Sequence, residues 1–439
     1  MSDYKPYPAY KDSGVEWLGK VPDGWKVKPL WTVTTVNNDE RDRNIKDLDE
    51  IEYVDISSVT LEYGVSNPTR MLAKDAPSRA QRKAKSGDVV ISTVRTYLRA
   101  IGKVLPEHEA AIFSTGFAIV RSSKEITPSF LYYALLSEYF LSEVEARSNG
   151  ISYPAINASD LLKINIAVPL LEEQIKLTQL LDRETVRIDA LVSKKTRFIE
   201  LLREKRQALI TQAVTRGLDP NVNMKDSGVE WLGEVPEHWD IGVLCHIASR
   251  TVVGIAEAAT HAYANSGVPI LRSTNIRPYK IIGEIFHINP KFALDKGTKL
   301  INAGDLITVR TGNAGVTAVI PAELDGCQCF TMLITTLQSA YIPNFYCYWM
   351  NSVTAMHYFA LEGWGTAQIN ISVPILKALP VPMLSNQEQK EIVAYLDLET
   401  TRIDSLITKT QHSINLLKER RAALITAAVT GQIDVRNTA

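Results

Sequence analysis

Between Arg79 and Lys103 the sequence places Arg79, Arg82, Lys83, Lys85, Arg95, Arg99 and Lys103 around one carboxylate, Asp88. Ser92, Thr93, Thr96 and Tyr97 lie among them. Cations of this density neutralise phosphates, and short hydroxyl donors suit phosphate oxygens or base edges. A weaker counterpart follows later: Arg272, Ser273, Thr274, Asn275 and Arg277, then Arg310, Thr311 and Asn313. The chemistry indicated is nucleic-acid binding. The alternative is a solvated basic face, which for any single residue is the commoner outcome.

Other chemistries lack their residues. No GxxxxGK[ST] run is present to cradle ATP phosphates, and Arg310-Thr311-Gly312-Asn313-Ala314-Gly315 lacks the dinucleotide register GxGxxG. A base-modifying [DN]PP[YF] motif is missing, since Asn67-Pro68 is followed by Thr69 and Asn289-Pro290 by Lys291. HExxH and a clear nuclease carboxylate cluster are missing too. A metal site would have to join Cys327 and Cys329 to Cys245-His246 or to His287, without the usual CxxC spacing. The four cysteines therefore read as thiols. All lie in the second half, which argues against a disulfide framework for the whole chain.

Composition sets the class. With 45% hydrophobic and 22% charged residues the chain reads as globular, and 439 residues predict more than one domain. Met1–Gly14 has no apolar signal core, and no apolar run approaches the roughly 20 residues of a membrane span. A cytoplasmic protein is expected. The net charge of −1 by itself disfavours a nucleic-acid binder, so the basic cluster has to be local.

The elements that must position these residues come in duplicate. Lys11–Trp25 reads KDSGVEWLGKVPDGW and Lys225–Trp239 reads KDSGVEWLGEVPEHW, identical at 12 of 15 positions at an offset of 214. LDRETVRID at Leu181–Asp189 returns as LDLETTRID at Leu396–Asp404. ALITQAVT at Ala208–Thr215 returns as ALITAAVT at Ala423–Thr430, both at an offset of 215. So long a period excludes a solenoid and marks a duplicated module. Gly87-Asp88-Val89-Val90-Ile91 still aligns with Gly304-Asp305-Leu306-Ile307-Thr308, but the interiors otherwise diverge. Either they do different versions of one job or they have drifted.

Each copy closes on a helical pattern. Leu177, Leu181, Ile188, Leu191, Phe198, Leu202 and Leu209 form one apolar stripe; Ile392, Leu396, Ile403, Leu406, Leu417 and Leu424 repeat most of it. Pro169 and Pro382 precede the patterns and Gly217 and Gly431 follow as stops. One helix over 172–215 would reach about 65 Å. Two such stripes can bury each other as an antiparallel, coiled-coil-like pair, giving approximate two-fold symmetry. The alternative is two helices that each cap their own domain. Strands are predicted at 52–59, 89–94, 270–271, 306–309 and 333–336, and helices at 130–145 and 345–361. The fold class is α+β (mixed α/β). Its domains are expected at 1–170 and 217–385, with helices at 171–216 and 386–434.

The blocks VEWLGxVPxxW, PLLEEQ (Pro169–Gln174) or PMLSNQEQ (Pro382–Gln389), LDxETxRID and LIxxAVT occur in this order, twice. Over nearly the whole length the chain resembles the specificity subunit of type I restriction–modification enzymes. The resemblance implies two target-recognition domains, each reading one half of a bipartite DNA site. It implies conserved helices that space the halves and dock two modification subunits, which hold S-adenosylmethionine; this chain binds no cofactor and is not itself catalytic. A restriction subunit joins when cleavage is required, and the modification is adenine N6 methylation. Because the interiors differ, the halves should differ around an unread gap, with centres about one helical turn apart.

In such domains the loop after the Gly-Asp strand and the loop before the last short helix are the expected readers. The DNA-binding candidates are Ser92, Thr93, Arg95, Tyr97, Arg99, Ser152 and Tyr153 in the first domain, and Arg272, Asn275, Arg310, Asn313 and Gln368 in the second. Two other readings stay open: a two-domain adaptor that never touches DNA, and a fused enzyme with a cryptic site. The end of the second copy also suits continuation into Met1–Lys11, so the two ends of the chain are expected to adjoin.

Overall fold

The two apolar stripes belong to two long helices, Leu171–Arg216 and Asn386–Val429. The second ends before the expected 434 because Gly431 takes a left-handed φ of 74° and Gln432 N donates to Ala427 O at 2.7 Å, closing the last turn. This computed structural model describes residues 5–42, 44–255, 260–294, 300–365 and 368–436. It divides into two units, Met1–Thr196 with Gln411–Ala439, and Arg197–Thr410, so the division falls inside both helices.

In the first unit Leu177 and Leu181, from the start of one helix, share a core with Leu424, Ile425, Ala428 and Val429 from the end of the other. Trp25, Phe130 and Phe140 complete it. The second unit packs Ile392 and Leu396 against Ile210, Ala213 and Val214 around Trp239, Phe345 and Trp349. In both, the start of one helix meets the end of the other. The stripes bury each other at these ends as well as against their own domains, and the pairing is antiparallel; Leu191, Phe198 and Leu406, expected on the buried stripes, are instead exposed.

Each unit builds one four-stranded antiparallel sheet, and the two agree in part on a second sheet, which has five strands in the first unit and four in the second among the described residues. In the first unit the strands of the antiparallel sheet run Ile101–Lys103, Val89–Ser92, Phe117–Ser122, Thr34–Val36. The second unit matches with Thr317–Val319, Leu306–Thr308, Leu333–Leu337, Ala248–Val253. The other sheet carries one parallel pair in each unit, Ile112–Ser114 beside Glu50–Val54 and Val268–Leu271 beside Gln328–Cys329. A further pair ties each domain's first strands to the segment entering its helix: Asn165–Val168 on Lys26–Pro29, and Pro380–Met383 on Asp240–Val243.

Several elements are more broken than periodicity predicts. The strand expected at 52–59 stops at Val54, because the Asp55 carboxylate accepts from Ser57 N at 2.7 Å and turns Ile56–Ser58 into a 3₁₀ turn. The helix expected at 130–145 is two, Pro128–Leu136 and Glu138–Ala146; Ser137 leaves the helical region and its Oγ caps Phe140 N at 3.3 Å. At the equivalent place in the second copy, Ser352 divides Pro343–Met350 from Val353–Glu362 in the same way.

The described ends of the chain meet inside the first unit. Asp434 N donates to Lys5 O at 2.8 Å, and Tyr10 OH to Gly431 O at 3.1 Å. Among the described residues no helix is long and apolar enough to cross a membrane, and no group of three or more His, Cys, Asp or Glu is placed to hold a metal.

Candidate nucleic-acid interface

After its central strand each unit sends out a loop that pairs with a second loop, contributed from just before a short helix. In the first unit Val94 bridges Ala155, and Ile156 N donates to Thr93 O at 2.9 Å. In the second, Thr311 bridges Asn370, and Ile371 N donates to Arg310 O at 3.0 Å. The partner loops are themselves closed hairpins. Asn149 and Ala155 exchange two backbone hydrogen bonds of 2.9 Å; Trp364 and Asn370 exchange bonds of 3.2 and 2.9 Å. Gly150 and Gly365, at φ 111° and 117°, make those turns possible. In each unit, the two loops are thus paired as a double loop through backbone hydrogen bonds among the described residues.

What the first double loop displays is mixed. Tyr97 and Tyr153 are 54% and 67% exposed, Ser152 is exposed, and Ile151 stands fully clear of the surface. Arg95 is exposed, with its guanidinium carbon 5.2 Å from the centre of the Tyr153 ring. Beside it lies a cleft of about 250 Å³ whose lining includes Asp55, Ser57 and Arg79. Thr93 is half-buried and its hydroxyl donates to Gly116 O at 2.9 Å.

Two candidates are turned inward. Ser92 is 3% exposed and its Oγ donates to Val94 O. Arg99 bonds Glu145 at 2.7 Å and Glu138 at 2.8 Å. Hydrogen bonding to Glu145, then to Glu138, outweighs burial and holds its pKa above the ordinary arginine value. Arg99 thus ties the loop after the central strand to the helix Glu138–Ala146.

In the second unit Asn313 and Gln368 are exposed on the double loop and Arg310 is half-buried beside them. Arg272 and Asn275 belong elsewhere, to the turn after Val268–Leu271. Asn275 is 2% exposed, accepts from Arg272 N and donates to Ile282 O and Glu284 O. Arg272 lies over Phe286, 3.8 Å from its ring centre. The structure therefore gathers Arg95, Tyr97, Ser152 and Tyr153 in one unit and Arg310, Asn313 and Gln368 in the other.

Sequence reasoning missed Ile151 and Trp364, the latter 59% exposed at the base of the second hairpin. The repeat offset would have found Trp364, which matches Asn149 just before the turn glycine. It also missed why Gly-Asp recurs. Asp88 accepts from Lys85 N at 2.8 Å and pairs with Arg121 at 2.7 Å; Asp305 accepts from Asn302 N at 2.9 Å and pairs with Arg250 at 2.9 Å. This carboxylate braces the strand that carries the loop.

Comparison with known proteins follows the same lines. Residues 22–200 match the family model of the type I restriction modification DNA specificity domain. A Methanocaldococcus jannaschii protein assigned as the type I restriction enzyme MjaX specificity subunit is 22% identical over 438 residues, 95% of this chain and 96% of its own length. The EcoKI specificity subunit of Escherichia coli K12 is 23% identical over 266 residues, 59% of this chain and 55% of that one. Among solved structures, a chain from work on complex assembly and conformational transition of the type I restriction–modification system superposes with a TM-score of 0.76 at 22% identity, covering 94% of this chain and 99% of that one. The HsdS subunit of Thermoanaerobacter tengcongensis gives 0.53 at 22% identity, covering 94% and 98%.

Proposed function

We propose that the chain, similar to type I restriction–modification specificity subunits in its family-model match over residues 22–200 and along nearly all of its length to one relative, serves DNA target recognition, each of its units reading one half of a bipartite, asymmetric DNA site. The observation that carries this is the double loop. The same backbone device recurs in both units, but Arg95, Ser152 and Tyr153 furnish one and Arg310, Asn313 and Gln368 the other. Equal frames aim side chains equally, while unlike side chains select unlike bases.

The paired helices would then dock two modification subunits and fix the spacing of the halves, with a restriction subunit joining that core. Exposed apolar side chains along them, Val186 at 69% and Leu398 at 67%, suit a protein partner better than a phosphate track. In this reading S-adenosylmethionine belongs to the modification subunit and methylates adenine, while this chain supplies recognition alone. Near-neutral net charge fits, because partners share the phosphate contacts.

The test is selection from randomised duplexes by the chain assembled with its modification subunit. A two-part motif around an unread gap is expected. Exchanging residues 30–165 for those of a related subunit should then change one half only. Sequence-blind or absent binding by the assembled complex would refute the proposal.

A further inference from the structure

We propose that Arg95, held against the ring of Tyr153, reads a guanine in the half-site of the first unit; the assignment rests on the DNA-reading function proposed above. Seven basic residues crowd residues 79–103, four of them arginines, and the four guanidinium groups are not equally available. Arg79 bonds the Tyr53 hydroxyl at 3.0 Å and pairs with Asp55 at 3.3 Å. Arg82 has its Nε buried, and Arg99 is spent on two glutamates. Among the described residues no carboxylate pairs with Arg95; its neighbour is an aromatic face.

That neighbour matters for two physical reasons. Holding a guanidinium against a ring restricts its rotamers before any ligand arrives, and without a carboxylate partner its N–H groups stay free to donate. The fork of donors they form matches the O6 and N7 acceptors of guanine in the major groove. Both residues sit on backbone that is already clamped: Val94 bridges Ala155, Thr96 N donates to Pro154 O at 3.4 Å, and Arg95 itself holds a left-handed φ of 51°. A phosphate contact would need only the charge, not a guanidinium held against a ring.

The second unit cannot use this device. Gly312 follows its bridged Thr311 where Arg95 follows Val94, and the repeat offset puts Gln368 in the place of Tyr153. Guanine reading by an arginine held against a ring at this place is thus a property of one half-site only.

Duplex selection with the assembled complex tests the assignment. Arg95→Ala should relax one position that the unaltered protein specifies as guanine, by roughly 5- to 150-fold, with the other half-site kept. Tyr153→Phe should preserve the guanine preference, whereas Tyr153→Ala should weaken it. Should Arg95→Ala disturb the loop, Arg95→Gly accepts the same φ and must relax the same position. Uniform loss across all sequences, with the salt slope reduced by about one, identifies a phosphate contact and overturns the proposal. So does relaxation at a base other than guanine, or an unchanged motif. An unaltered complex without any sequence-specific motif overturns the functional reading, and this assignment with it.

Discussion

Arg206 and Asp404 face each other from the two long helices, with Nε 3.0 Å from one carboxylate oxygen and Nη2 3.4 Å from the other. Each has a counterpart in the other copy at the repeat offset: Arg421 for Arg206 and Asp189 for Asp404. Those counterparts also form an ion pair, again at 3.0 Å, in the other unit, though without the hydrogen-bond geometry of the first. The arginine is 20% and the aspartate about half exposed in both cases. A single contact, duplicated with the module, therefore marks the antiparallel register in each unit.

Such partly exposed pairs are worth little by themselves. A double-mutant cycle on Arg206→Ala and Asp404→Ala, followed by urea unfolding, should give a coupling of about 0.2–1 kcal/mol. Arg206→Ala should nevertheless cost more than Asp404→Ala, since the guanidinium also covers Tyr279, 5.0 Å from its ring centre. Equal costs would show that the aromatic contact contributes nothing.

Two buried glutamines matter more. Gln174 and Gln389 are wholly buried, and each accepts from the backbone at 2.8 Å, from Thr127 N and Ile342 N respectively. Gln174 donates to Glu125 O and Pro169 O, and Gln389 to Leu384 O. Replacing either by Ala strands buried amide groups, and about 1–3 kcal/mol should be lost in denaturant titration. A loss below about 0.5 kcal/mol would mean that water takes over these bonds.

The hairpin glycines separate recognition from folding. A Cβ at Gly365 would lie 2.3 Å from Gln368 O, and one at Gly150 lies 3.0 Å from Tyr153 O, both at positive φ. Gly365→Ala should abolish selectivity in the second half-site and spare the first, with the far-ultraviolet circular dichroism unchanged. Gly150→Ala should affect the first half-site, and less severely. Loss of both halves from either substitution would contradict independent reading.

Thiol chemistry gives a pH prediction. Burial pushes the Cys347 and Cys327 thiols from an ordinary 9.0 up to about 12, while Cys245 is exposed. Above about pH 9 the unfolded chain therefore loses protons that the folded chain keeps. Stability should be full below that pH and fall as pH rises toward 12. Unfolding midpoints between pH 8 and 11 measure the slope, and Cys347→Ala should flatten it. At pH 8 a thiol reagent should label Cys245 rapidly, but Cys327 and Cys347 only after denaturation.

Much of the frame was legible because it is written locally. The stripe from Leu177 to Leu209 repeats at helical spacing, and Gly217 and Gly431 stop it, so neighbours in sequence suffice. Ser137 and Ser352 show the limit. Each divides a helix that apolar periodicity reads as continuous, because a cap competes with the next turn for the same amide. The two loops that pair in each unit were placed by position, but which of their side chains stay exposed was not.

The sequence by itself determined the duplication, the two apolar helical stripes and the pair of loops carrying unlike side chains. Tertiary structure decided which of those side chains remain free. Arg95 and Arg99 stand one short turn apart and are indistinguishable by type, yet one rests on Tyr153 while the other is neutralised by Glu138 and Glu145. Those partners belong to later elements, the helix Glu138–Ala146 and the hairpin beyond it, well outside any local window around either arginine. A charge is cancelled by whatever folds against it, and no local pattern around an arginine records what that will be.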